Sequence, residues 1–418
     1  MKILWFTNTP CSAIEKLNLS SNRGGWLMTL EQELTRHKNL ELYVAFYHIK
    51  EIDPFIYHNT WFYPIKRKNS GSKLQRYFAR LLTDENNDKT EIKQLLSIVE
   101  QVNPDLIHIH GTEDNFGLIQ HYTKIPVVVS IQGVLSSCVE KLFSGIPLQI
   151  ANKYGSTINK ILVKSAKYEY KNIKQKSIRE RDILKISKNI IGRTDLDKRV
   201  TQVLAPNSNY FVGQEILRSS FYQKSWQKKQ FGKKIQIITI SSNGVYKGFE
   251  TIVKTANILL DYPNIDFEWL VIGLHKKSEI VLLTQKWLKI YSEKIKFTGE
   301  KTESEIVDLL ISADIYCQVS HIENSPNSLC EAMILGLPII ASFAGGTNSM
   351  LENGKLGILI QDGDPYSLAG AILELSTDFD KAKRLANEAK LLALKRHEKN
   401  AIVSQLIQTY QTILEKNI

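Results

Sequence analysis

Along most of the chain, short apolar runs alternate with segments whose apolar residues recur at helical spacing. That alternation predicts repeated βα units with parallel strands. In the first half the expected strands are Lys2–Phe6, Glu41–Phe46, Leu106–His110, Val127–Ile131 and Asn189–Ile191, with helices over Trp26–His37 and Ile92–Val102. The alternation restarts with strands at Gln236–Ile240, Glu268–Ile272, Lys294–Phe297, Asp314–Val319 and Pro338–Ser342. Their crossovers are Phe249–Leu260, Ser304–Ser312 and Ser328–Leu335. The fold class expected is therefore α/β, with two tandem Rossmann-like, doubly wound domains. The first spans 1–218 and the second 219–399, divided within the polar, aperiodic stretch Ser219–Lys234. The segment 400–418 reads as an amphipathic helix able to pack back on the first domain. Doubly wound sheets bind ligands at the carboxyl ends of their strands, so two facing domains are expected to hold a site in the cleft between them.

Composition narrows the class. A chain of 418 residues, 43% hydrophobic and 23% charged, is ordinary for a globular enzyme. The four cysteines, Cys11, Cys138, Cys317 and Cys330, lack metal or redox spacing, which suits a reducing compartment. The opening MKILWFTNTP reads as a buried strand and not as a signal peptide, and no apolar run is long enough to span a bilayer. A cytoplasmic location is the expectation. The net charge is +11. Much of the excess lies between Lys153 and Arg199, in Lys160, Lys164, Lys167, Lys171, Lys174, Lys176, Arg179, Arg181, Lys185 and Lys188. Such a run is either a solvated helix face or a surface for an anionic partner, including the inner face of an anionic membrane. No nucleic-acid module accompanies it.

The strongest local pattern is His321-Ile-Glu-Asn-Ser-Pro-Asn-Ser-Leu-Cys-Glu331, placed after an expected strand and running into a helix that ends near Gly336. Asn327 or Ser328 can cap that helix. Free N–H groups and the positive dipole end there suit a diphosphate or sugar hydroxyls. Glu323 and Glu331 can accept hydrogen bonds from vicinal hydroxyls. Ser328-Leu-Cys-Glu331 is equally a capping box in which Glu331 serves the backbone alone. A second acid and the following Ala344-Gly-Gly-Thr347 turn favour the ligand reading, Gly345 and Gly346 permitting close backbone approach.

This segment resembles the two-glutamate motif of the group-1 retaining glycosyltransferases, which have the two-domain GT-B fold. The resemblance continues through LGLPIIASFAGGTNSMLENGKLGILIQDGDPYSLAGAI and covers most of the second domain. It implies a nucleotide diphosphate sugar as donor, with Glu331 on the ribose and Glu323 gripping the transferred sugar. The backbone of Asn324, Ser325, Asn327, Ser328 and Leu329 would hold sugar and diphosphate. The loop Ser241-Ser-Asn-Gly-Val-Tyr-Lys247-Gly248 matches the family's phosphate-binding loop at Lys247. The family's arginine is absent, with Ser242 or Asn243 near its place; Arg193 and Arg218 are candidate substitutes. Arg23-Gly24-Gly25-Trp26 resembles the family's glycine-rich loop, with Gly25 toward the donor and Arg23 and Gly24 on the acceptor side. It is not the G-x-G-x-x-G dinucleotide fingerprint, which disfavours a nicotinamide enzyme.

Further acceptor-side candidates lie at strand ends: His110 and Glu113 after one strand, Gln132 after the next, where the family often has histidine. His108 reads as a half-buried strand histidine. Asp195-Leu-Asp197 has the D-x-D spacing of metal-dependent transferases, yet its setting predicts a helix start with acids on the dipole, and no metal or other cofactor is expected. Asp364, before Pro365, reads as a helix cap. The resemblance thus implies retaining, metal-independent hexosyl transfer to a glycan or lipid-linked acceptor, in bacterial surface polysaccharide assembly. Glu323 and Lys247 would carry the chemistry. The alternatives are a sugar-nucleotide epimerase on the same fold and a non-catalytic GT-B subunit, the latter supported by the missing arginine and by Gln132.

Overall fold

The computed structural model describes residues 1–19, 25–67, 85–157, 165–262 and 264–416. Arg23, Gly24, Lys160 and Lys164 lie outside the described residues. The chain divides into two compact units. One comprises Met1–Ser136, Lys171–Ile216 and His397–Ile418, and the other Ser137–Tyr170 and Leu217–Arg396.

The first unit is built on an eight-stranded sheet. Its strands are β1 (Lys2–Thr7), β2 (Glu41–His48), β3 (Phe55–Tyr57), β4 (Thr60–Lys66), β5 (Leu106–His110), β6 (Val127–Ser130), β7 (Asn189–Gly192) and β8 (Asn209–Val212). Their order is β3-β4-β2-β1-β5-β6-β7-β8, parallel throughout except for the β3–β4 pair. Helices cover both faces, so β5, β6 and β7 are buried along their whole length, as near-continuous apolar runs require. On one face the helices Gly25–Leu34 and Lys399–Glu415 pack a core with Trp5, Leu27, Leu30, Ile402, Leu406 and Tyr410.

The second unit carries a six-stranded, wholly parallel sheet of β9 (Lys234–Ile240), β10 (Asp266–Ile272), β11 (Ile295–Gly299), β12 (Ile315–Gln318), β13 (Ile339–Ser342) and β14 (Ile358–Ile360). Their order is β11-β10-β9-β12-β13-β14. Strand order reverses between β9 and β12, the switch point where doubly wound sheets open a crevice. In the first sheet the corresponding reversal lies between β1 and β5.

Three features depart from the sequence reading. Strands β3, β4, β8 and β14 were not expected. In β4, Pro64 argues against a strand, but β3 pairs only as far as Phe62, so among the described residues Pro64 has no strand neighbour on that side to deprive of a hydrogen bond. The boundary falls at Ile216/Leu217 instead of 218/219, and Ser137–Tyr170, expected in the first domain, folds with the second unit. The cause is local: the helix Leu148–Tyr154 packs on the helix Glu279–Leu288, and Ser156 N–H donates to Glu279 Oε1 at 3.1 Å. The last helix, by contrast, belongs to the first unit. There the Tyr410 hydroxyl accepts from Trp5 Nε1 at 3.0 Å and meets His108 Nδ1 at 2.7 Å.

Candidate active site

Two loops leave the sheet of the second unit at its switch point, one after β9 and one after β12. They are locked backbone to backbone. Gly248 sits at φ +75°, and a Cβ there would lie 1.9 Å from the Val319 carbonyl oxygen, so only glycine fits. His321 N–H donates to the Tyr246 carbonyl at 2.8 Å. This register brings Lys247 against Glu323, with Nζ to Oε1 at 2.6 Å. Burial pulls the Lys247 ammonium down, but the Glu323 carboxylate outweighs it and leaves the pKa raised. Lys247 is therefore a cation over any ordinary pH range.

Gly345 and Gly346 were expected to approach a ligand, and they approach the chain itself. A Cβ on Gly345, at φ +60°, would stand 2.0 Å from the Glu323 carbonyl oxygen, and Gly346 N–H donates to that oxygen at 2.8 Å. The glycine turn thus fixes the backbone from which the Glu323 side chain projects.

The helix that follows spans Asn327–Leu335, and its cap is Pro326 without any side-chain cap bond. The expected caps Asn327 and Ser328 do not act as caps; Ser328 Oγ donates to Gln318 Oε1 at 3.1 Å instead. Proline at this position supplies only its carbonyl, which accepts from the N–H groups of Leu329 and Cys330. The amides of Asn327 and Ser328 are the donors that a helix start leaves open. Leu329 contributes its side chain to the core. Asn324 is buried and Ser325 half-buried in the same loop.

The capping-box alternative for Glu331 fails as well. Its two oxygens accept from Arg218 Nε and Nη2, each at 2.8 Å, in the bidentate geometry that suits guanidinium and carboxylate. Burial pushes the Glu331 carboxyl up against the opposing pull of Arg218. Of the two candidate arginines, Arg218 is thus committed to Glu331. Arg193 lies in the first unit, over the Trp26 ring at 4.4 Å and 3.8 Å from Glu215 Oε2. Ser242 is exposed. Asn243 Oδ1 accepts from Ile280 N–H at 3.4 Å, anchoring the β9 loop to the helix Glu279–Leu288.

One cluster beside Lys247 and Glu323 has no counterpart in the sequence reading. His321 is buried, with Nε2 at 2.6 Å from Glu250 Oε1 and Nδ1 at 3.4 Å from Asp362 Oδ2. Burial pulls its pKa down, but the two carboxylates prevail and leave it raised. The sequence signal was Glu250, three residues past Lys247 and in the first turn of a helix.

In the first unit the switch point also gathers polar groups. Asn8, after β1, donates to Glu113, after β5, at 2.9 Å, and burial pushes the Glu113 carboxyl up. His108 is not half-buried but fully enclosed, bonded to Tyr410 and to Ser130 Oγ, and burial pulls its pKa down to about 3. His110 is equally enclosed, 3.8 Å ring to ring from His108, and held well below the usual histidine range by burial. Both imidazoles are neutral. Gln132 follows β6 and is half-buried; Gly25 opens its helix. Glu180, unremarked in the sequence, accepts from Thr112 Oγ1 and from the N–H groups of Leu135 and Ser136. Asp197 is consumed by a capping box with Thr194 and by Tyr210, and Asp364 caps its helix through Tyr366 and Ser367.

Residues 221–392 match the family described as glycosyl transferases group 1. The chain is 25% identical over 191 residues to the putative colanic acid biosynthesis glycosyltransferase WcaL of Salmonella typhimurium, an alignment spanning 44% of this chain and 46% of that protein. It thus spans less than half the length of that relative. In fold it is similar to the sucrose-phosphate synthase of Thermosynechococcus elongatus, with TM-score 0.72, 14% identity and 100% of both chains covered. It is also similar to Anabaena HepE in complex with UDP and glucose, with TM-score 0.64, 16% identity, and 99% and 100% covered.

Proposed function

We propose that this chain, whose residues 221–392 match the group 1 glycosyl transferases, moves a hexose from a nucleotide diphosphate sugar to a glycan or lipid-linked acceptor with retained anomeric configuration. The observation that carries the reading is the Lys247–Glu323 pair at the switch point, beside a helix start with two open amides. A bound diphosphate takes Lys247 and the amides of Asn327 and Ser328, which stabilise the charge developing on the leaving phosphate. Glu323, released from Lys247, accepts the hydroxyls of the sugar. Glu331 accepts from the ribose while Arg218 fixes the orientation of its carboxylate. The anomeric carbon–phosphate oxygen bond breaks as the acceptor oxygen bonds on the same face, and the acceptor proton passes to the leaving phosphate. Gln132 cannot act as a base, and His110, held neutral far below its usual range, is a weak one; both fit a phosphate acting as proton acceptor.

The cations and dipoles named make a metal unnecessary in this scheme. The solved HepE complex makes UDP-sugars the first donors to test, and the colanic acid relative supports a surface polysaccharide acceptor. The test is a thermal-shift screen of nucleotide sugars, followed by product analysis with and without acceptor and with EDTA. Donor-dependent stabilisation and chelator-resistant transfer with retained configuration support the reading. Turnover of donor alone to an epimer, inverted product, or activity restored only by manganese overturns it.

A further inference from the structure

The β9 and β12 loops are not the only chain at the His321 cluster. Lys141 Nζ stands 3.7 Å from Asp362 Oδ2. A Cβ on Gly145 would fall 2.0 Å from His321 Nε2 and 2.2 Å from Glu250 Oε1. The stretch from Lys141 to Gly145 therefore lies directly on the histidine, leaving no room for a side chain. Every element packed on the imidazole contributes a group: Glu250 from the helix Phe249–Leu260, Asp362 from the turn after β14, Lys141 through Asp362, and the Gly145 backbone.

A neutral imidazole has one N–H, and here both ring nitrogens face carboxylates, so only the imidazolium donates to both. Its neighbours in sequence matter as much. Glu250 is three residues from Lys247, and Glu323 is two residues from His321. The His321 backbone also ties the two loops through Tyr246.

We propose that His321 is the positioning residue of the donor site, bridging Glu250 and Asp362 so that Lys247 and Glu323 are held in register for the diphosphate and the sugar. This rests on the reading of that site given above. His321 touches neither donor nor acceptor; it acts through the elements that present Lys247 and Glu323. Removing it leaves two buried or half-buried carboxylates facing each other, and their repulsion spreads the two loops.

The experiment compares the intact protein with His321→Ala, His321→Gln and the milder Asp362→Asn. Turnover of a UDP-sugar should fall roughly ten- to a hundredfold in His321→Ala, the scale of a small misplacement of catalytic groups, with a smaller change in KM for donor. Asp362→Asn should fall in the same direction by less. Wild-type kcat should fall on the alkaline side as the imidazolium is lost, and that fall should be absent from His321→Gln. A readout independent of turnover is the Lys247 ammonium resonance by NMR. It should be protected from exchange in the wild type and exchange-broadened in His321→Gln, while the His321 ring nitrogens report the imidazolium at neutral pH. Wild-type kcat per folded molecule in His321→Ala, a neutral His321 at pH 7, or an unchanged Lys247 signal would each overturn the proposal. If the wild type transfers no sugar at all, the functional reading fails, and the Lys247 resonance alone decides the positioning role.

Discussion

Arg218 holds Glu331 through both carboxylate oxygens at 2.8 Å, one residue after the chain re-enters the second unit at Leu217. The same stretch is pinned a second time, Ser220 N–H donating to Glu303 Oε1 at 3.0 Å. Arg218→Ala strands a carboxylate only 4% exposed. Breaking a buried pair in this way costs roughly 3–5 kcal/mol, with the partly exposed arginine placing this case at the lower end. Arg218→Ala combined with Glu331→Gln should recover much of the loss. Denaturant unfolding of the two variants checks this; equal destabilisation would mean that the pair is not the cause.

Lys247 and Glu323 should separate in function although they touch. Lys247→Ala removes a phosphate cation and should weaken nucleoside diphosphate binding by roughly 1.5–3 kcal/mol, the range for a charged hydrogen bond. Glu323→Ala should cut turnover more than nucleotide affinity, because its contacts to the sugar strengthen toward the transition state. Calorimetry with UDP beside steady-state kinetics distinguishes them, and identical profiles would place both residues in one scaffold role.

Stability should depend on pH through His321. Its folded pKa is raised, so the protonated form is favoured by folding. That contribution is fully present below the unfolded value, near 6.5, and is lost as pH rises through the folded pKa. Wild-type melting temperature should therefore drop across the window above pH 6.5 more steeply than that of His321→Gln. Parallel curves for the two proteins would contradict the assignment.

The basic run offers a fourth expectation. In the helix Ala166–Ile186, Lys167, Lys171, Lys174, Arg181 and Lys185 are all exposed and recur at intervals that place them on one face. Each basic residue near an anionic surface contributes about 1 kcal/mol. Vesicles containing phosphatidylserine should bind the protein at low salt, neutral vesicles should not, and Lys167→Glu with Lys171→Glu and Lys174→Glu should abolish the binding. No sedimentation with anionic vesicles would leave the face to solvent.

The pattern of apolar runs made both sheets legible because their central strands are buried on both faces. Short edge strands such as Ile358–Ile360 carry too few residues to show a period. Lys247, Glu323 and Glu331 were legible because a strand end and a helix start fix them locally. Their actual partners were not: Arg218 reaches Glu331 across 113 residues of sequence, and His321 reaches Glu250 across 71. Sequence spacing also misassigned the cap of the helix Asn327–Leu335, since serine and asparagine are usual caps but Gln318, on the neighbouring strand, draws Ser328 away.

The chain passes between its two units four times, at 136/137, 170/171, 216/217 and 396/397. Trp5, in β1, finds the hydroxyl of Tyr410 in the helix Lys399–Glu415. The first unit therefore cannot finish folding before its helix Lys399–Glu415 is made, although domains generally fold in order of emergence. Its sheet must wait, with the face of β1 that this helix covers still open, until the helix Lys399–Glu415 has been made. A truncation after residue 396 would spare every residue of the Lys247–Glu323 site and still leave the first unit without the helix Lys399–Glu415.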